Sequence, residues 1–260
     1  IYQESYRKEW NALVNLPLKD EYLVFFFIHS SVLLKSGKTI SARLALSEYH
    51  SDNIPDEDDW EKRVLSSILK SVLYLIRKQN GFEDIRNTIK EISKLQKEQS
   101  DFESKYLASF HTNQQTDKAL QLVALYHASK AVIETANYVL QGYDYQNRRI
   151  DAIIRQHIDI AMKLQKQGRF STIFQIIAMD LQTLVSNAIW NGTAFNDKLK
   201  QLCKQKSEMG LLELLPSQRD AMNKRFFDVA ANAIVLQMPT SAGKTLLAEF
   251  NIVITKSLLP

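Results

Sequence analysis

Pro55 to Arg77 reads PDEDDWEKRVLSSILKSVLYLIR. From Val64 onward its apolar residues keep helical spacing. Val64, Leu65, Ile68, Leu69, Val72, Leu73 and Ile76 fall on one face at i, i+4 intervals. The start is marked as well. Pro55 suits a first helical turn, and Asp56, Glu57, Asp58 and Asp59 favour the positive end of a helix dipole. No second ligand cluster accompanies that acidic run, so it reads as a charged helix start and not as a metal site.

The same texture extends outward. No proline occurs between Pro55 and Pro216, and Gly81, Gly142, Gly168, Gly192 and Gly210 each stand where a helical pattern ends. Helices are expected at about Asp117–Gln141, Arg148–Gln167 and Phe170–Trp190. In the last, Ile173, Phe174, Ile177, Leu181, Leu184, Val185, Ala188 and Ile189 make the broad stripe of a helix packed among helices. Glu83–Lys105 also reads as helix, with a thin seam of Ile85, Ile89, Ile92 and Leu95. No repeat recurs at a fixed period, so no solenoid is supported. Tyr22–Leu34 fits a buried helix or a buried strand, because a short apolar run does not separate the two.

Composition agrees. The chain has 260 residues, 45% hydrophobic and 24% charged, which suits a globular protein. It holds 7 glycines and 5 prolines, where roughly 18 and 13 would be average. Sandwiches and barrels need turn residues about every 8–12 positions, so an all-β fold is excluded for most of the length. The net charge of +4 is a small difference between 33 basic and 29 acidic side chains. It is compatible with a polyanionic partner and does not require one. Cys203 is the one cysteine, so no disulfide and no cysteine-based zinc site forms within the chain, as fits a cytoplasmic protein. The Tyr22–Leu34 run is too short for a membrane span of ~20 residues. Ile1 rather than Met opens the chain, and Pro260 follows directly on an apolar stretch. A piece of a longer protein is expected.

After Gly210 the pattern changes. A helix is expected to begin near Ser217, and Asn232 to Met238 reads as a short buried strand. Then follow Pro239, Thr240, Ser241, Ala242, Gly243, Lys244 and Thr245, and a helical Leu246–Leu259. Strand, loop and helix in that order open a parallel α/β unit. Gly243-Lys244-Thr245 ends a phosphate-binding loop of the Walker A kind. There, backbone N–H groups face phosphate oxygens, a lysine reaches the β- and γ-phosphates, and the next hydroxyl coordinates Mg²⁺. The helix adds its positive N-terminus. Met238 stands where the general pattern begins with Gly. Gly37-Lys38-Thr39 repeats the triplet without that frame and reads as a plain turn.

The stretch Leu215 to Leu259 resembles superfamily-two helicases, whose motif I runs Pro-Thr, two small residues, then Gly-Lys-Thr. Ser241-Ala242, with Leu246, Ala248 and Glu249 following, is most similar to the Ski-like branch. Gln218, within Leu215-Pro216-Ser217-Gln218, matches the glutamine that reads adenine in that superfamily. A carboxamide both donates and accepts, which suits adenine over guanine. The resemblance implies ATP and Mg²⁺ as cofactors, with Gln218, Thr240, Ser241, Ala242, Gly243, Lys244 and Thr245 around the nucleotide. It implies Lys244 and Thr245 as the catalytic residues and Thr245 as the Mg²⁺ ligand. It also implies that the family's Asp-Glu box, coupling motif and arginine finger would follow Pro260, so this stretch alone is not expected to turn over ATP.

The remaining candidates have plainer readings. His29, His50, His111, His127 and His157 are scattered and show no metal-ligand spacing. Lys198, Lys200, Lys204 and Lys206, with Arg148, Arg149, Lys163, Lys166 and Arg169, form basic stretches that usually mark a solvated face. Tyr143 and Tyr145 beside Arg148 and Arg149 could stack on bases, though packing is the commoner use. Cys203 reads as structural.

The expected fold is mainly α. A helical accessory or interaction domain spans 1–207, and the beginning of a RecA-like α/β P-loop domain spans 208–260. The resemblance implies part of an ATP-dependent nucleic-acid helicase or translocase, with DNA placed ahead of RNA as partner. It implies a helical domain that contacts nucleic acid or a partner protein, and antiphage defence as the setting. Two alternatives stay open: another P-loop class such as a kinase or GTPase, and a helical interaction module with a vestigial loop.

Overall fold

The Tyr22–Leu34 run is a helix, α1, Glu21–Lys35. Both of its ends are made by local chemistry. Asp20 Oδ1 accepts from Leu23 N at 2.9 Å, satisfying an amide that the first turn leaves unpaired. At the other end Gly37 adopts a φ of +75°, with Gly37 N donating to Leu34 O at 3.0 Å and Lys38 N to Leu33 O at 2.9 Å. That pair of bonds is a Schellman cap, and it needs a residue at ease in the left-handed region. The Gly37-Lys38-Thr39 triplet is thus a turn leading into α2, Thr39–Ala45.

This computed structural model describes residues 18–49, 60–79, 82–108, 114–142, 150–164, 171–193, 195–224, 226–228, 234–239 and 243–258. The other helices are α3 (Trp60–Arg77), α4 (Phe82–Ala108), α5 (Gln114–Gln141), α6 (Ile150–Leu164), α7 (Ser171–Asn187), α8 (Asp197–Glu208), α9 (Pro216–Asn223) and α10 (Lys244–Leu258). The protein is mainly α. Among the described residues no strand forms, and Ala188 and Glu213 make an isolated antiparallel bridge.

Two compact units divide the chain. The first takes in residues 1–137 and 143–184. Its centre is α3, whose Val64, Leu65, Ile68, Leu69, Val72, Leu73 and Ile76 are all buried as their spacing predicts. α3 packs on α1 and α4, and the α4 seam follows the expected Ile85, Ile92 and Leu95, with Ile89 half-buried. The α3–α4 turn is closed by charge. Arg77 donates from Nε and Nη2 to Asp84 at 3.1 and 3.0 Å, and from Nη1 to Tyr49 O at 2.9 Å. Asp84 also accepts from Gln79 N at 2.5 Å. Pro55 to Asp59, Gly81 and Gly168 lie outside the described residues.

The second unit takes in 138–142 and 185–260, so α8 belongs with the residues that follow it. The helix expected to reach Trp190 ends at Asn187 instead. The following backbone turns aside to pair with a later segment: Ile189 N donates to Leu212 O at 3.0 Å and Leu214 N to Asn187 O at 2.9 Å. Trp190 anchors the unit, its indole donating to Val139 O at 3.2 Å. α8 ends in another Schellman cap at Gly210, φ +89°, and Lys206 on α8 meets Glu249 on α10 at 2.6 Å.

The strand expected at Asn232–Met238 is corrected where it is described. Ile234 to Pro239 form no strand, and Val235 is 93% exposed. A parallel strand is completed by neighbouring strands on its edges, and no described segment offers one.

Candidate functional site

The site is built by α9 and by the loop leading into α10. Pro216 occupies the first turn of α9, where its missing N–H is no loss. Gln218 then faces inward and is only 3% exposed. Its Oε1 accepts from Leu215 N at 2.7 Å, satisfying the amide just before the helix. Its Nε2 donates to Gly243 O at 2.9 Å. One carboxamide therefore ties the start of α9 to the end of the candidate phosphate loop.

Gly243 is favoured there on two counts. Its φ is +79°, in the left-handed region, and a Cβ would come within 2.2 Å of Gln218 Nε2 and 3.3 Å of Leu215 Cδ1. Lys244 and Thr245 follow at the first turn of the 15-residue α10, and both are exposed. The opening amides of a helix lack intrahelical acceptors, so this end carries donors and partial positive charge next to a lysine and a hydroxyl. Thr240, Ser241 and Ala242 lie outside the described residues.

α10 is held by Leu246, Leu247, Phe250 and Ile254, all buried. Ala221, Phe226 and Leu247 form a small core, and Met238 packs against it with Met222, Phe227 and Leu236. Met238 thus has a packing role at the position where the general motif has Gly. Lys244 also lines an open groove of about 560 Å³ with Phe226, Leu236, Asn251, Ile252 and Lys256. Nearby, burial lowers the Arg219 guanidinium from its ordinary value while Glu213 opposes the shift, and its Nη1 donates to Leu214 O at 2.9 Å.

The other expected candidates divide clearly. Lys206 is paired with Glu249 and Lys200 with Asp197 at 3.5 Å, and Lys198 and Lys204 are exposed on α8. Cys203 is buried, and burial pushes its thiol up to about 11, so it is a poor nucleophile. Tyr143, Tyr145, Arg148, Arg149, Lys166, Arg169, His50 and His111 lie outside the described residues. Two of the scattered histidines, His127 on α5 and His157 on α6, are brought together at 2.8 Å. Their spacing in the chain carries no signal of that. Among the described residues no three His, Cys, Asp or Glu side chains gather as metal ligands, and no helix is long and apolar enough to cross a membrane.

No family model, no curated protein and no solved structure matches this chain.

Proposed function

We propose that the chain is the nucleotide-loop part of an ATP-dependent helicase or translocase acting on DNA or RNA, with 208–260 opening a RecA-like motor domain. The observation that carries the reading is the junction of Gln218, Gly243 and Lys244. A left-handed glycine, at which a Cβ would displace the Gln218 carboxamide, sits directly before a helix whose first residues are an exposed lysine and an exposed threonine. A phosphate cradle needs that combination of close backbone approach, helix N-terminus, cation and hydroxyl.

The residues present fit ATP with Mg²⁺. Lys244 would reach the β- and γ-phosphates, Thr245 would hold the metal through its hydroxyl, and Thr240, Ser241, Ala242 and Gly243 would supply backbone N–H groups. Bound ATP would supply the phosphoanhydride whose hydrolysis would drive closure of motor lobes. Among the described residues Gln218 uses one N–H and one lone pair; an adenine edge would use the others, once the nucleotide reaches a side chain that is 3% exposed in this structure. The helical unit would contact nucleic acid or a partner protein, in a cytoplasmic setting such as antiphage defence.

The test is ATP hydrolysis by the full-length protein with and without DNA or RNA. Stimulated turnover that disappears in Lys244→Ala is expected. A folded protein with neither turnover nor ATP binding would remove the reading.

A further inference from the structure

His127 on α5 and His157 on α6 face each other with Nδ1 to Nδ1 at 2.8 Å. Their ring centroids are 5.1 Å apart and the planes are inclined by 36°. The two nitrogens approach along the line between the rings, each pointing at the other. At that distance one must donate and the other accept. Both rings are half-buried, so water does not fully relieve a mismatch between them.

We propose that His127 and His157 form a proton-operated latch between α5 and α6, closed until the pair takes up a second proton. With both rings neutral, one Nδ1–H donates to the other Nδ1. A first added proton leaves that bond in place and makes it charge-assisted, since one ring remains an acceptor. A second proton leaves two N–H donors and two positive charges face to face, so contact can no longer be held. Among the described residues, the other titratable groups at the pair are both on α5. Tyr126 meets His127 edge-on at 5.5 Å, and the Lys130 ammonium lies 5.6 Å over the Tyr126 ring. Lys130 adds positive charge and so works against the second proton. Burial holds both imidazoles below their ordinary value, and for His157 the charges of His127 and Lys130 act in the same direction. The latch therefore opens on acidification.

A bidentate metal site fits less well. Two lone pairs serving one ion must converge to a side of the line joining them, whereas these point at each other. No third ligand joins them among the described residues.

The experiment is an NMR titration of the imidazole resonances of the whole chain from about pH 7.5 to 4.5 in the presence of a chelator, with amide exchange along α5 and α6. Two coupled steps at least one pH unit apart are expected, with exchange rising about tenfold or more at the lower one. In His157→Gln, which keeps a hydrogen-bonding group without a titration, His127 should titrate once and the exchange step should vanish. His127→Gln should do the same for His157. Independent titration of the two rings in the unmodified chain would overturn the latch. So would a rise in melting temperature on adding Ni²⁺ or Zn²⁺ that both histidines are needed for, since the pair would then be a chelate. If either variant fails to fold, the unmodified chain still decides: coupled or independent titration separates latch from no latch, and a shift of both imidazole sets on adding Zn²⁺ without chelator marks a chelate.

Discussion

Gln218 Nε2 donates to Gly243 O at 2.9 Å, and a Cβ on Gly243 would come within 2.2 Å of that same nitrogen. The contact and the steric limit are two aspects of one arrangement. The carboxamide can reach the loop carbonyl because residue 243 has no side chain, and the left-handed backbone directs the carbonyl back towards α9.

Gly243→Ala is therefore expected to destabilise the second unit by about 1–3 kcal/mol, through left-handed strain and displacement of Gln218. Gln218→Ala removes the crowding but not the strain. The double variant should lose less than the sum of the single losses, a coupling that urea unfolding of all four proteins measures. Strict additivity would mean that the two residues do not share this arrangement.

Lys244→Ala should behave in the opposite way. The side chain is exposed at the first turn of α10, and Ala is a good helix former, so stability should stay within about 0.5 kcal/mol. ATP turnover by the full-length protein should be lost. Gln218→Ala should be milder, weakening the preference for adenine nucleotides. ATPase rates and melting curves on the same samples check both points. Wild-type turnover in Lys244→Ala would show that this lysine is not the phosphate ligand.

Asp84 gives a sharper structural test, independent of any nucleotide. It is buried and accepts from Arg77 Nε and Nη2 and from Gln79 N. Asp84→Ala would leave a half-buried guanidinium and a backbone amide without their acceptor. A loss of about 3–5 kcal/mol is expected, read by chemical denaturation followed by circular dichroism. A loss below about 1 kcal/mol would mean that water replaces the carboxylate.

Most of the long helices were legible because their signals are local. Val64 to Ile76 repeat at helical spacing, and Gly142 and Gly210 take the left-handed conformation their positions suggest. The end of α7 was not legible, because Ile189 and Leu214 find backbone partners far along the chain. Asn232–Met238 has the apolar character of a strand, yet a strand exists only with a neighbour, and Val235 is exposed with none among the described residues. Within the site, the sequence singled out Gln218, Gly243 and Lys244 but not the bond from Gln218 to Gly243. Side-chain type says what a carboxamide can do and not which carbonyl lies within reach. The His127–His157 pair was invisible for a related reason: it depends on how α5 lies against α6.

Cys203 gives the last expectation. Burial raises its thiol from an ordinary 9.0 to about 11, with the Thr193 side chain opposing the shift. The folded chain therefore keeps this proton after the unfolded chain has lost it. The resulting stability is present below about pH 9 and is lost as pH rises towards about 11. Its size is on the order of 2 kcal/mol. Tyr49, also raised chiefly by burial, contributes in the same direction at higher pH. Urea midpoints from pH 8 to 11 for the unmodified chain and Cys203→Ala separate the two, because the alanine variant keeps only the tyrosine part of the slope. At pH 8 the folded chain should resist iodoacetamide and react only in urea. Rapid labelling without denaturant would mean that the thiol is neither buried nor raised.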